Sequence, residues 1–299
     1  MKKVKIMLST YNGEAYIEEQ LNSLYEQTYP NIEILVRDDG SDDGTLEILR
    51  RHQMQGSIRL LEGKNVGYWK SFFYLLDDDD KADYYAFCDQ DDVWLPKKVE
   101  AAVNALEKID QQKKVMFFGG FDYYDSDMDF IGKGLRYHKK ITFANALFEC
   151  LPLGCNSVIN QSLRDSLIQK QPTQSKSHDW WTFMVASGLG TVVYKDEVLM
   201  KYRRHQHNAS ATGDRFWKLL KFRIKTFFIN DYFGIIRKQM KEFFDLYCEE
   251  LSKEDQRLLL KLVEPSFMKR LSLVCYPHHY RQKVTDDFVV RLLILLGKL

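Results

Sequence analysis

The chain reads as an α/β protein, and three observations predict it. Short apolar runs of strand length recur through the first 110 residues. Each is followed by a stretch with helical periodicity, and glycines or carboxylates stand at the junctions. Strand–helix alternation at this spacing gives a parallel sheet with helices on both faces. Ligands in such sheets bind at the carboxyl ends of the strands.

Taken in order, Val4–Ser9 is a strand. Glu14–Gln27 is a helix with Ile17, Leu21 and Leu24 on one face. Ile32–Val36 is a strand and Thr45–His52 a helix; Ile58–Leu61 is a strand and Gly67–Leu76 a helix. Tyr84–Cys88 is a buried strand, followed by a helix over Leu95–Ile109 with Pro96 in its first turn. The acidic run Asp77–Asp80 reads as a solvated helix end or turn. Beyond residue 114 the pattern changes. Val115–Phe118 is a strand, Asp122–Lys140 a polar and aromatic excursion, and Thr142–Cys150 a helix. Gly154–Asn160 is a strand, Ser162–Lys170 a helix, His178–Ser187 a helix, and Thr191–Tyr202 a strand; from Arg215 onward the pattern is helical.

Of the 299 residues, 45% are apolar and 28% charged, as in a globular protein. Met1-Lys2-Lys3 leads into a run too short for a secretory leader. No stretch approaches the ~20 apolar residues of a membrane span. Five cysteines without a C-x-x-C pair argue against structural zinc and a disulfide framework, and for a reducing cytoplasm. The net charge of +1 hides polarity: residues 201–299 hold 20 Lys+Arg and 11 Asp+Glu, and residues 201–241 hold 11 and 2. The expected organisation is a catalytic body over 1–212, in halves 1–110 and 111–212, then a basic, aromatic-rich helical region over 213–299.

Four clusters fall at predicted strand ends. Asp89-Gln90-Asp91-Asp92 ends a buried strand in carboxylates, which cost free energy there unless a cation or donors meet them. A hard divalent cation with open positions for phosphate fits, and so does an acidic turn starting a helix. Thr10-Tyr11-Asn12-Gly13-Glu14 is a tight turn whose backbone amides are candidates for facing a phosphate or base, or a plain strand–helix link. Arg37 to Thr45 carries Asp38, Asp39 and Gly40; its carboxylates suit a base N–H or ribose hydroxyls, or helix capping through Asp42 or Asp43. Lys64-Asn65-Val66-Gly67 is the fourth. The first turn lacks G-x-G-x-x-G, so a dinucleotide has no glycine cradle.

In this order and spacing, over roughly residues 4–110 and more loosely to 208, these clusters resemble the successive signatures of family 2 glycosyltransferases with the GT-A fold. His178-Asp179-Trp180-Trp181 with Tyr202-Arg203-Arg204-His205 resembles the bacterial rhamnosyltransferases of that family. The resemblance implies a single-sugar, inverting transfer of L-rhamnose from dTDP-L-rhamnose to a lipid-linked glycan acceptor in cell-surface polysaccharide synthesis. UDP-glucose, UDP-galactose or UDP-GlcNAc are alternative donors. It implies that Thr10, Tyr11, Glu14, Asp39, Lys64, Asp89 and Arg203 line the nucleotide-sugar pocket. Asp91, Asp89 and His205 would hold Mn²⁺ or Mg²⁺, with His207 an alternative to His205. Asp179 would be the general base, and His178 would orient it or cap its helix. Trp180 and Trp181 are candidates for a sugar-stacking wall, with at least one belonging to the core. Cys155 reads as a small buried residue.

The interleaved basic and aromatic segment 215–241 fits a helix on an anionic membrane, placing the chain on the inner face of the cell membrane. A helix packed on the catalytic body or in a homodimer would look alike. No nucleic-acid recognition module accompanies it. Two rival functions remain at this level. A nucleotidyltransferase would carry a glycine- and lysine-rich phosphate loop, and a catalytically silent nucleotide- or glycan-binding partner would have no need of the acidic motif.

Overall fold

The computed structural model describes residues 1–205 and 232–299. Among the described residues, nine strands form one sheet. Its first half is parallel, in the order β3 (Arg59–Glu62), β2 (Ile32–Asp38), β1 (Val4–Thr10), β4 (Tyr84–Asp89). Beyond β4 the sheet turns mixed. β8 (Ser157–Asn160) runs antiparallel to β4 and to β6 (Lys114–Tyr124). β9 (Gly190–Arg203) lies parallel to β6, and β5 (Val93–Trp94) closes that edge antiparallel to β9. β7 (Phe130–Lys133) pairs with the last residues of β6.

Helices α1 (Ile17–Tyr25), α2 (Thr45–Met54), α3 (Tyr68–Leu76) and α4 (Lys98–Leu106) make the crossovers of the first half. In the second half come α5 (Phe143–Phe148), α6 (Gln161–Gln169) and α7 (His178–Leu189). α1 turns Ile17, Leu21 and Leu24 into the core. Side-chain caps start two others: Thr142 accepts from Asn145 N before α5, and Asn160 from Leu163 N before α6.

Two layers of core cover the sheet. One joins alternate residues of the strands (Val4, Ile6, Leu8, Tyr84, Ala86) to α1 and α4. The other joins the opposite alternation (Met7, Phe87, Met116) to α3, α5, α6 and α7. It continues into the C-terminal helices α8 (Tyr232–Tyr247), α9 (Lys253–Val263), α10 (Phe267–Val274) and α11 (Val284–Leu295). Phe243 and Tyr247 of α8 pack on Trp181, at ring centroids 5.5 and 6.2 Å apart. These helices therefore share the core of the α/β body. Of segment 215–241, residues 215–231 lie outside the described residues, as does His207; in the remainder Ile236 and Met240 are buried against that core.

Several sequence expectations change. The helix expected from Leu95 begins at Lys98, because Leu95–Lys97 reverse the chain out of β5, with Lys98 N donating to Leu95 O at 3.0 Å. Pro96 precedes the helix. Asp77–Asp80 is not simply solvated: Asp78 pairs with the buried Lys5 and with Arg59, and Asp80 accepts from Lys3 at 2.7 Å. The expected strand Gly154–Asn160 opens with a 3-10 turn over Gly154–Asn156. Within the excursion after β6 lies β7.

Candidate active site

The parallel register brings the separate clusters to one sheet edge. Ser9 pairs with Asp89 and Thr10 with Asp38, so the ends of β1, β2 and β4 lie side by side. β6 runs the same way as β4, which brings its end and that of β9 to the same edge.

The β1–α1 turn is stitched to its neighbours through its backbone. Tyr11 N donates to Gln90 Oε1 (2.8 Å), Asn12 N to Ser41 Oγ (2.9 Å), Gly13 N to Thr45 Oγ1 (2.8 Å) and Glu14 N to Asp43 Oδ2 (3.1 Å). The expectation that these amides face a phosphate is corrected: side chains already accept from all four. Gln90 returns its amide to Tyr11 O at 3.0 Å, so the middle residue of the acidic motif is a clamp on this turn. Thr10 is buried, while Tyr11 and Glu14 are exposed on the rim.

Asp38 folds its own loop, accepting from Gly40 N and Ser41 N at 3.1 and 2.9 Å. Gly40 has φ of 85° and would bring a Cβ to 3.1 Å from Asn65 N, so it supplies both the turn and the close approach. Asp39 is 2% exposed and accepts from Arg37, from Val66 N at 3.0 Å and from Gly67 N at 2.9 Å. Arg37 also donates to Lys64 O at 3.1 Å and Ser71 Oγ at 3.1 Å. The pair clamps the β3–α3 loop, on which Lys64 is exposed.

At the end of β4 the four motif residues divide their work. Asp89 is half-buried, and burial followed by the charge of Asp91 pushes its carboxyl up to about 7. Asp91 Oδ2 meets His205 Nε2 at 2.8 Å, and the His205 ring stacks on Tyr16 with centroids 4.9 Å apart. Asp92 is 1% exposed; its Oδ1 accepts from Arg203 N at 3.1 Å and its Oδ2 has no partner among the described residues. Asp89, Asp92 and Cys155 bring ligand atoms within 4.8 Å of one another. Burial, then the Asp91 and Asp89 charges, raises Asp92 well above the carboxylate range, and burial does the same to the Cys155 thiol. A protonated thiol is a poor ligand for a hard cation, so this trio fits proton sharing better than Mn²⁺ or Mg²⁺.

Behind it lies Lys98, a residue the sequence did not flag. It is buried, donates to Cys155 O at 2.5 Å and sits 3.5 Å over the Trp94 ring. Burial lowers it to about 8, against the opposing pull of the thiols and carboxylates around it.

Arg203 is buried. Its guanidinium donates to Asp91 O (2.8 Å), Ser126 O (2.5 Å) and Glu19, and lies 4.8 Å over the Tyr16 ring. These contacts pin β9 to the acidic turn.

Across the edge, Asp179 opens α7. Its Oδ1 accepts from Trp180 N at 2.8 Å, and its charge contributes to raising Asp89. Tyr68, half-exposed, feels both: burial, then Asp179 and Asp89, raise its phenol. His178 neither caps the helix nor bonds Asp179. Its ring lies 4.1 Å from Phe72 and 5.1 Å from Phe87, both nitrogens lack hydrogen-bond partners among the described residues, and burial lowers it to about 4. A Cβ on Gly154 would sit 2.5 Å from His178 Nε2, so the glycine makes room for this ring. Trp180 and Trp181 are both core: Trp180 Nε1 donates to Ala146 O at 2.7 Å, and Trp181 is 0% exposed.

A parallel sheet turning mixed after the acidic strand, with carboxylates from β2, β4 and α7 on one edge, defines a GT-A-type nucleotide-sugar transferase architecture. Residues 5–171 match the Glycosyl transferase family 2 profile, and the chain belongs to that family. It is 31% identical over 217 residues to a Shigella flexneri protein named dTDP-rhamnosyl transferase RfbG, covering 67% of this chain and 72% of that one. An uncharacterized glycosyltransferase of Rickettsia typhi is 30% identical over 218 residues. The chain spans 66% of that relative's length and 35% of a Rickettsia felis one. Among solved structures it is similar in fold to S. aureus TarS 1-349 in complex with UDP-GlcNAc, with a TM-score of 0.58 at 17% identity, covering 99% of this chain and 92% of that one. A mannosyltransferase from Pyrobaculum calidifontis in complex with GDP-Man and Mn²⁺ gives 0.50 at 15% identity, covering 99% and 88%.

Proposed function

We propose that the chain is a metal-dependent, inverting rhamnosyltransferase that moves one L-rhamnose from dTDP-L-rhamnose to a hydroxyl of a lipid-linked glycan. The observation that carries the reaction type is that Asp179, in the first turn of α7, lies near enough to Asp89, at the end of β4, for its charge to raise that carboxyl. The relative named as a dTDP-rhamnosyl transferase supports the donor.

In this reading Asp179 accepts the proton of the acceptor hydroxyl while that oxygen attacks C1 of the sugar. The C1–O bond to the diphosphate breaks, its electron pair leaves with the nucleoside diphosphate, and C1 inverts. Tyr11, Glu14 and Lys64 on the rim, with Thr10 and Asp39 beneath, form the nucleotide pocket. Two carboxylates and an imidazole at the edge suit Mn²⁺ or Mg²⁺, so Asp91, His205 and Asp89 are the residues that would hold it. When bound, the cation offsets negative charge on the departing diphosphate. Asp92, Gln90 and Arg203 hold the turn that presents these ligands. The acceptor's lipid would bring the chain to the inner face of the membrane; no helix of the described residues is long and apolar enough to cross one.

A panel of dTDP-, UDP- and GDP-sugars with Mn²⁺ or Mg²⁺, with and without EDTA, tests this by nucleoside diphosphate release. Metal-dependent release from dTDP-L-rhamnose is expected. Release from a UDP-sugar alone would replace the donor and keep the class. Release of pyrophosphate from a nucleoside triphosphate would mean nucleotidyl transfer, and binding without turnover a silent partner.

A further inference from the structure

The C-terminal pair α10 and α11 is apolar where a surface helix should be polar. α11 buries Val290 and Ile294 on one side, yet Val284 (70% exposed), Phe288 (67%) and Leu292 form a row spaced by four on the outward side. A helix lying on a globular body is normally polar on that face. α10 does likewise: Leu273 is buried, while Phe267 (64%) and Met268 (70%) are open. The helices run antiparallel. Arg291 donates to Val274 O at 2.6 Å and Tyr276 O at 2.9 Å, and the Arg270 guanidinium lies against Gly297. Contiguous exposed apolar surface on this scale marks a docking site.

Charge identifies the occupant. Residues 264–299 carry six Lys+Arg and three Asp+Glu, a balance of +3. Asp287 is paired with Arg291 at 2.8 Å, and Asp286 faces Arg281. Glu264 faces Lys269 at 3.6 Å, so Arg270, Lys283 and Lys298 dominate the field beside the apolar row. Large aliphatic and aromatic side chains flanked by long cationic ones match the boundary between acyl chains and anionic headgroups, where lysine stems bury while their ammonium groups stay at the phosphates.

We propose that the outward face of α10 and α11 is a membrane-docking surface for anionic lipid, separate from the basic segment preceding α8. Docking itself does not rest on sugar transfer; if the proposed reaction holds, docking would bring the site to a lipid-linked acceptor.

The test is flotation of the full-length protein with vesicles of phosphatidylcholine alone or with phosphatidylglycerol. Wild type should float with the anionic vesicles and stay below with the neutral ones. Phe267→Ser/Met268→Ser/Phe288→Ser should lower the floated fraction about tenfold or more, and Lys283→Glu/Lys298→Glu should lower it on anionic vesicles. These positions are exposed, so both variants should melt within a few degrees of wild type. Nucleoside diphosphate release in solution, measured in parallel, should be unchanged, which separates failure of docking from failure of the enzymatic reading. Unaltered flotation of both variants would overturn the proposal. So would a wild-type oligomer, seen by light scattering, that the apolar variant splits without altering flotation: the face would then be a self-interface.

Discussion

The pair Arg37–Asp39 offers a test of how the nucleotide edge is built. Both side chains are buried, and the Asp39 carboxylate takes the Arg37 guanidinium and the amides of Val66 and Gly67. Asp39→Asn leaves a buried guanidinium without its counter-charge and turns an NH₂ toward N–H donors. Breaking a buried pair from one side costs about 3–5 kcal/mol. A central figure of about 4 kcal/mol corresponds to a melting shift of about 8 °C for a chain of this size. Arg37→Met should cost a similar amount, since it strands the carboxylate instead. Arg37→Met/Asp39→Leu should cost clearly less than the two singles together, because no charge then remains buried, although the Val66 and Gly67 amides still lose their acceptor. Urea and thermal unfolding give these values. Donor affinity adds a functional reading: Arg37 holds Lys64 O, so Arg37→Met should weaken nucleotide binding although Arg37 need not touch the ligand. A shift below about 2 °C for Asp39→Asn, or singles that simply add in the double, would refute the clamp.

Asp179→Asn keeps an oxygen for Trp180 N and removes only the charge, so transfer should fall about 10²- to 10⁴-fold with donor affinity unchanged; turnover within a few-fold of wild type would exclude it as base. Asp91→Asn and His205→Ala should each weaken Mn²⁺-dependent nucleotide binding while leaving any EDTA-insensitive binding alone, and equal affinity in titration calorimetry would contradict the ligand assignment. Because burial holds His178 near 4 against an ordinary 6.5, the unfolded chain takes up a proton that the native chain refuses. Its contribution is thus complete above pH 6.5 and declines by roughly 3 kcal/mol as pH falls toward 4. His178→Leu should flatten the loss of urea stability between pH 7.5 and 5, and an undiminished loss would show that other groups govern it.

Much of the first half was legible because its signals are local. Period-two apolar runs such as Val4–Leu8 and the helical face Ile17, Leu21 and Leu24 need only their own neighbours to be read. The grouping of Asp39, Asp89 and Asp91 was legible too, since a parallel sheet aligns strand ends whatever the loops do. What escaped depends on distant partners. β5 is two residues long and exists because β9 runs beside it. Asp78 looks solvated until Lys5 and Arg59 arrive from other strands. Arg203 sits beside Arg204 and His205 in sequence, and only the fold reveals Glu19, Ser126 and Asp91 around it.

The acidic motif shows why site and scaffold are hard to separate by sequence. A turn at a strand end must present ligands outward and hold itself against neighbouring elements within four residues. Here Asp91 meets His205 and Asp89 feels the charge of Asp179, while Gln90 grips the backbone of Tyr11 and Asp92 accepts the amide of Arg203. The three carboxylates look alike in sequence, yet they differ sharply in surroundings. Asp92 is pushed furthest inward, beside Cys155 and in the field of Lys98, and its Oδ2 has no hydrogen-bond partner among the described residues. Its burial makes sense if it is a brace rather than a ligand. A neutral carboxylic acid can stay in that niche at low cost, whereas two further ionised groups packed against Asp89 would repel one another. The density of carboxylates that first suggests a metal site is therefore partly scaffolding, and the ligand set is best drawn from the residues that face His205 and Asp179.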